Sequence, residues 1–213
     1  MNSPFDQSRY QVRLDWGVAG LDRLAPADIT VVVDVLRFSS TVIDRVAAGE
    51  SVALDADAHA VSLNGAAVTA HAAATGTLVL LGALRNARAV ADAILAEQQR
   101  RGDRTSVALI AAGELAGRES GAPLRFCVED LLGAGAVVDA LGALGIDHTS
   151  PEAAAAGEAF RGLRGAVRHL LTASGSGQEL IDRGQRDEVI AAATVDAVTC
   201  VPVLRDGRFT AGS

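Results

Sequence analysis

Ile29-Thr-Val-Val-Val-Asp-Val-Leu-Arg-Phe-Ser-Ser-Thr41 decides how the chain is read. From Ile29 to Val33 every residue is apolar or β-branched, the short continuous run expected of a strand buried on both faces of a parallel sheet. The run ends at a charge. Asp34 sits where the strand would emerge, Arg37 follows, and Ser39, Ser40 and Thr41 supply hydroxyls before the helical pattern Val42, Ile43, Val46, Ala47. Ligands of open α/β sheets bind outside the carboxyl ends of the strands, and a helix start offers free N–H groups to an anion. The same residues also suit a plain N-cap at Ser39 or Ser40 with a local Asp34–Arg37 ion pair, and both alternatives stay open here.

Two further runs repeat the pattern. Thr77–Leu81 is short, apolar and bounded by Gly76 and Gly82, and it releases Arg85 and Asn86 at the start of a helix closed by Arg100-Arg101-Gly102. Arg100 and Arg101 sit where cations offset a helix dipole, so they are read as structural. Val107–Ala111 releases Gly113, Glu114 and a Gly-rich loop with Arg118, Glu119 and Arg125. Right-handed crossovers keep such strands parallel, so all three should deliver polar residues to one sheet edge. The expected fold is a single α/β domain: a sheet of mainly parallel strands flanked by helices, with a C-terminal hairpin at Asp206-Gly207.

Outward from this centre, 10–14 reads as an edge strand, 51–54 as a second short strand, and Asn64-Gly65 as a turn before an Ala-rich helix. A long helix is expected over 126–144, with Glu129 and Asp130 in its first turn. Two adjacent carboxylates there either complement the dipole or hold a hard cation. Gly133 and Gly135 fall inside this helical pattern and so are no nucleotide loop; they let another backbone approach. Ser150-Pro151 starts a helix, Ser174-Gly-Ser-Gly177 reads as a flexible loop, and 197–204 as the last strand before the hairpin.

Composition narrows the function. The 213 residues carry 19 basic and 26 acidic side chains, a net charge of −7, which argues against a nucleic-acid surface. Mean hydropathy is +0.26, yet no apolar run approaches the ~20 residues of a membrane span, and Met-Asn-Ser-Pro-Phe-Asp lacks signal-peptide character. A cytoplasmic protein with no membrane partner is expected. Cys127 and Cys200 read as small core residues, and the 4 histidines are too scattered for a zinc site. The Ala-rich helices suit packing on a second subunit as well as on their own sheet, which leaves a homo-oligomer open.

Taken together, Val33-Asp-Val-Leu-Arg-Phe-Ser-Ser-Thr41, Asn64-Gly65, Leu84-Arg-Asn-Ala-Arg-Ala-Val-Ala91, Ala112-Gly-Glu114, Glu129-Asp-Leu-Leu-Gly-Ala-Gly135, Ser174–Leu180 with Asp187, and Val201-Pro202 resemble the 2-phosphosulfolactate phosphatase family of coenzyme M biosynthesis. The resemblance implies hydrolysis of a small anionic phosphorylated acid with Mg2+ as cofactor. It implies Asp34 as the carboxylate nearest the metal or attacking group and Arg37 as the clamp on phosphate or sulfonate. Ser39, Ser40 and Thr41 would cradle the anion, and Asn64, Gly65, Arg85, Asn86 and Ser174 would line the pocket. Glu114, Glu129 and Asp130 would join Asp34 as metal-ligand candidates. The chain departs from the family in a shorter segment between Glu50 and Asn64 and in a lead, Ala60-Val-Ser-Leu63, poorer in hydroxyls. That departure motivates an alternative, a catalytically degenerate relative that binds a small anion or a protein partner.

Overall fold

The structure, a computed structural model, describes residues 3–55, 62, 64–117 and 122–212. Its centre is a seven-stranded sheet built from β1 (Val12–Trp16), β2 (Ile29–Val33), β3 (Val52–Ala53), β4 (Leu78–Gly82), β5 (Val107–Ala111), β8 (Pro202–Arg205) and β9 (Arg208–Ala211), in the order β1-β5-β2-β4-β8-β9-β3. β1, β5, β2 and β4 are parallel. The β8–β9 hairpin and β3 add an antiparallel flank. The expected α/β class and the C-terminal hairpin are both present. β6 (Glu114–Leu115) and β7 (Leu124–Arg125) form a separate two-stranded ribbon over the strand ends.

The central strands are apolar because both faces of the sheet are covered. Val31 and Val33 of β2 face one core together with Val90 and Ile94 of α4 (Ala87–Arg101), Leu132 and Val137 of α5 (Val128–Ala143) and Phe160 of α6 (Pro151–Leu163). Val32, one residue out of step, joins the opposite core with Phe38 and Val42 of α2 (Phe38–Ala47) and Val68 of α3 (Gly65–Ala74). Each such Val or Ile contributes about 1.5–3 kcal/mol by leaving water. That is why β2 reads as an unbroken run rather than an alternation. α1 (Gly17–Arg23) links β1 to β2.

Local chemistry sets the helix ends. Ser150 caps α6 by accepting the Ala153 N–H at 3.1 Å, with Pro151 at the first position. α4 ends at Gly102, whose φ of 70° suits glycine, and Arg100 and Arg101 both pair with Glu97. α5 presses Gly135 against α6 so closely that a Cβ there would lie 2.1 Å from the Ala156 carbonyl oxygen.

Three expectations change. α2 starts at Phe38, so Ser39, Ser40 and Thr41 lie inside its first turn rather than ahead of it. Ser174-Gly-Ser-Gly177 is not a flexible loop: Ser174 caps α8 (Gly175–Asp182), which lies between α7 (Val167–Ala173) and α9 (Arg186–Ala192). The last strand is shorter than 197–204, beginning only at Pro202. Arg118 and Glu119, and most of the segment between Glu50 and Asn64, lie outside the described residues. Among the described residues, no helix is long and apolar enough to cross a membrane.

Candidate active site

Register places the three exits together, since Val33 lies beside Gly82 on one side and Ala111 on the other. Asp34, first past β2, is 6% exposed. Its Oδ1 accepts the Phe38 N–H at 3.2 Å, and its Oδ2 accepts the Gly65 N–H at 3.1 Å and the Ser62 hydroxyl at 3.2 Å. Gly65 is demanded by this approach, because a Cβ there would lie 2.4 Å from Asp34 Oδ2. Burial pushes the Asp34 carboxyl up to about 6, with the Glu114 charge adding to the rise and the three donors opposing it. A carboxyl poised there gains or loses a proton near neutral pH.

Asp130, in the first turn of α5, is buried and holds two loops. Its Oδ1 accepts the Val35 N–H at 2.8 Å and its Oδ2 the Gly113 N–H at 2.9 Å. Burial and the charges of Asp34 and Glu129 drive its carboxyl well above the usual range. Glu114, at the start of β6, is also raised, by burial first, then by Glu179 and Glu129, while a hydrogen bond from Asn64 and the Arg125 charge lower it. Glu129 is 2% exposed, and among the described residues its Oε2 has no hydrogen-bond partner, nor has the buried Asn64 Oδ1. A cavity of about 290 Å3 opens against this cluster, lined by Glu114, Arg125, Cys127, Glu129, Ser174 and Ser176 among others.

Among the described residues, no three Asp, Glu, His or Cys side chains are arranged to close a metal shell. The free donors are instead Glu129 Oε2 and Asn64 Oδ1, with Glu114 coupled to both residues. Such a set fits Mg2+, which keeps several waters and takes only one or two protein carboxylates. Asp34 and Asp130 already spend lone pairs on backbone N–H groups.

The remaining candidates are scattered in their commitments. Arg37 pairs with Glu188 of α9 at 2.6 Å rather than with Asp34, so the local ion pair is absent. Arg85 pairs with Asp44 at 2.7 Å. Asn86 is fully buried: its carbonyl accepts the Ala83 N–H, and its amide donates to the Leu81 and Cys200 carbonyls. The Ser39 hydroxyl donates to the Val32 carbonyl, that of Ser40 donates to the Val35 carbonyl, and Thr41 is exposed. The first N–H groups of α2 turn to Asp34 itself: Phe38 donates to the carboxylate and Ser39 to the Asp34 carbonyl. Ser174 lies in the cavity wall, its hydroxyl accepting the Gly177 N–H at 3.1 Å. Sequence reasoning passed over Ser62, the one hydroxyl in its lead, and named Arg125 at the strand exit without giving it a site role, since its position depends on the β6–β7 pairing.

Comparison with known families gives one match. Residues 53–207 fit the model described as 2-phosphosulpholactate phosphatase, a span that holds Asn64, Arg85, Glu114, Glu129, Asp130 and Ser174 and begins after the Asp34 loop. Covering well over half of the chain, the match agrees with a polar site where parallel strands end, and the protein belongs to the 2-phosphosulpholactate phosphatase family of phosphomonoester hydrolases.

Proposed function

We propose that the protein is a Mg2+-dependent phosphatase that hydrolyses a small phosphorylated acid, 2-phosphosulfolactate or a close phosphomonoester. The observation that carries this reading is Glu129, buried and with an Oε2 that lacks a hydrogen-bond partner among the described residues, lining a cavity together with Glu114, whose charge acts on Asp34. At the sheet edge the Glu114 charge raises Asp34, the Glu129 charge raises Glu114, and the charges of Asp34 and Glu129 raise Asp130, and a cation there offsets this repulsion. Glu129, Glu114 and the Asn64 carbonyl would hold the ion, which when bound neutralises charge on the phosphoryl oxygens.

In this mechanism water adds to phosphorus as the ester P–O bond breaks. Asp34 takes the proton lost by the water and passes it to the leaving alcohol oxygen, for which a carboxyl near 6 is suited. The Ser62 hydroxyl and the Gly65 N–H hold that carboxylate in place. The reading includes a cytoplasmic location, supported by two free cysteines.

Phosphate release from 2-phosphosulfolactate, phospholactate and simpler phosphomonoesters, with and without Mg2+, tests it. Metal-dependent release that falls at least about 100-fold in Asp34→Asn is expected. A folded protein that releases phosphate from none of them overturns it. The second reading, a relative that binds a small anion without turnover, is favoured by Arg37 and Arg85 being occupied in ion pairs, and that outcome would support it.

A further inference from the structure

We infer that Arg125, with the backbone N–H groups of Gly175 and Ser176, binds the substrate's second anionic group, the carboxylate or sulfonate that stays on the product. The word substrate rests on the phosphatase reading; the binding is a property of the cavity itself.

Near the site, Arg37 and Arg85 are engaged by Glu188 and Asp44. Arg125 belongs to no ion pair among the described residues, although it stands opposite Glu114 in the β6–β7 ribbon. The ribbon aims it across the cavity at the start of α8, where a Cβ on Gly175 would lie 3.5 Å from Arg125 Nη2. The Ser174 hydroxyl takes the Gly177 N–H, while the N–H groups of Gly175 and Ser176, first in the helix, have no intrahelical acceptor. A guanidinium facing two such donors at the positive end of a helix is an anion site.

A second observation points to a ligand at this cavity. Glu129 lines it, 2% exposed, with Oε2 unpartnered among the described residues. Glu114 stands beside it, and Glu179, the remaining acid of the wall, is bonded to Arg183. The cavity lining thus carries both a cation, Arg125, and the acids Glu114 and Glu129. A ligand with a fixed anion at one end and a metal-carried phosphoryl group at the other satisfies both, and about 290 Å3 suits a molecule of that size. Without a cation the acids outnumber Arg125, so Mg2+ should strengthen anion binding as well.

Calorimetric titration of the full chain with sulfolactate, lactate and inorganic phosphate, in Mg2+, tests the assignment. Arg125→Gln, at an exposed position, should weaken both acids about 10- to 100-fold while phosphate changes less than about threefold. Arg125→Lys should restore part of the loss. Ser176→Pro removes one N–H at a helix position that tolerates proline, and should weaken the acids about tenfold. Unchanged acid binding in Arg125→Gln, an equal loss of phosphate, or a wild type that binds neither acid overturns the assignment. A wild type that binds the acids through Arg125 but releases no phosphate upholds it and sinks the phosphatase reading instead.

Discussion

Asp130→Asn sets two effects against each other at one buried position. The carboxylate accepts from Val35 N at 2.8 Å and Gly113 N at 2.9 Å, and is 3% exposed. Asparagine keeps the shape but has one acceptor, so its NH2 group must face one of the two backbone donors. That leaves a buried N–H unsatisfied, at a cost of about 1–3 kcal/mol. In the other direction, the substitution removes a charge that burial, Asp34 and Glu129 all disfavour. Wild type can already shed that charge by binding a proton while keeping a lone pair on each oxygen, so the gain from asparagine is small. The hydrogen-bond loss should win. At about 2–4 °C per kcal/mol for a chain of this size, Tm should fall by about 2–12 °C. Urea and thermal unfolding at pH 7.5, followed by far-UV circular dichroism, would measure it. A variant that unfolds at the same or a higher urea midpoint would refute the reasoning and show that like-charge repulsion governs this site.

Two other outcomes follow from the same neighbourhood. Gly65→Ala puts a methyl 2.4 Å from Asp34 Oδ2 and 2.9 Å from a Phe38 ring carbon, so it should cost about 1–3 kcal/mol of stability and most phosphate release; retention of both by urea titration and assay would contradict the close approach. Burial holds the Asp34 carboxyl at about 6 in the folded chain against an ordinary 3.8, so the folded state binds more protons between those values and the group's contribution to stability falls as pH rises through them. The loss is about 3 kcal/mol. The stability difference between wild type and Asp34→Asn, measured at pH 4.5 and 7.5, should therefore shift against wild type at the higher pH; a pH-independent difference would contradict the raised value.

How far the sequence carried the fold depends on where each residue's partners lie. Ile29–Val33, Thr77–Leu81 and Val107–Ala111 were legible because a strand buried on both faces writes its environment into consecutive residues. Their shared exit followed from the handedness of crossovers, and Asp34 and Glu114 were legible as polar residues at those exits. Ser174–Gly177 was not, since two glycines argue for a loop; the helix forms because Gly177 fits where a Cβ would lie 1.8 Å from the Leu171 carbonyl oxygen. The partner of Arg37 lies 151 residues away at Glu188, and the Val35 N–H held by Asp130 lies 95 residues away. No local pattern encodes such pairs, so a clamp role for Arg37 and a dipole role for Asp130 were the natural expectations, and the backbone commitments of Asn86, Ser39 and Ser40 were equally hidden.

The order of the strands bears on how the protein behaves when crowded with copies of itself. One edge of the sheet is β3, only two residues long, too short to template another chain. The other is β1, whose outer side is partly taken: the Val12 N–H donates to the His148 carbonyl at 3.1 Å, the Ser150 N–H donates to the Val12 carbonyl at 2.8 Å, and Val12 bridges Thr149. Exposed edges with unpaired N–H and C=O groups recruit neighbours into aggregates. Blunting one edge by length and the other by a passing segment lets a chain so rich in valine, leucine and alanine carry a broad sheet without edge-to-edge growth, and any redesign that lengthened β3 would have to supply a charge or a proline to keep that property.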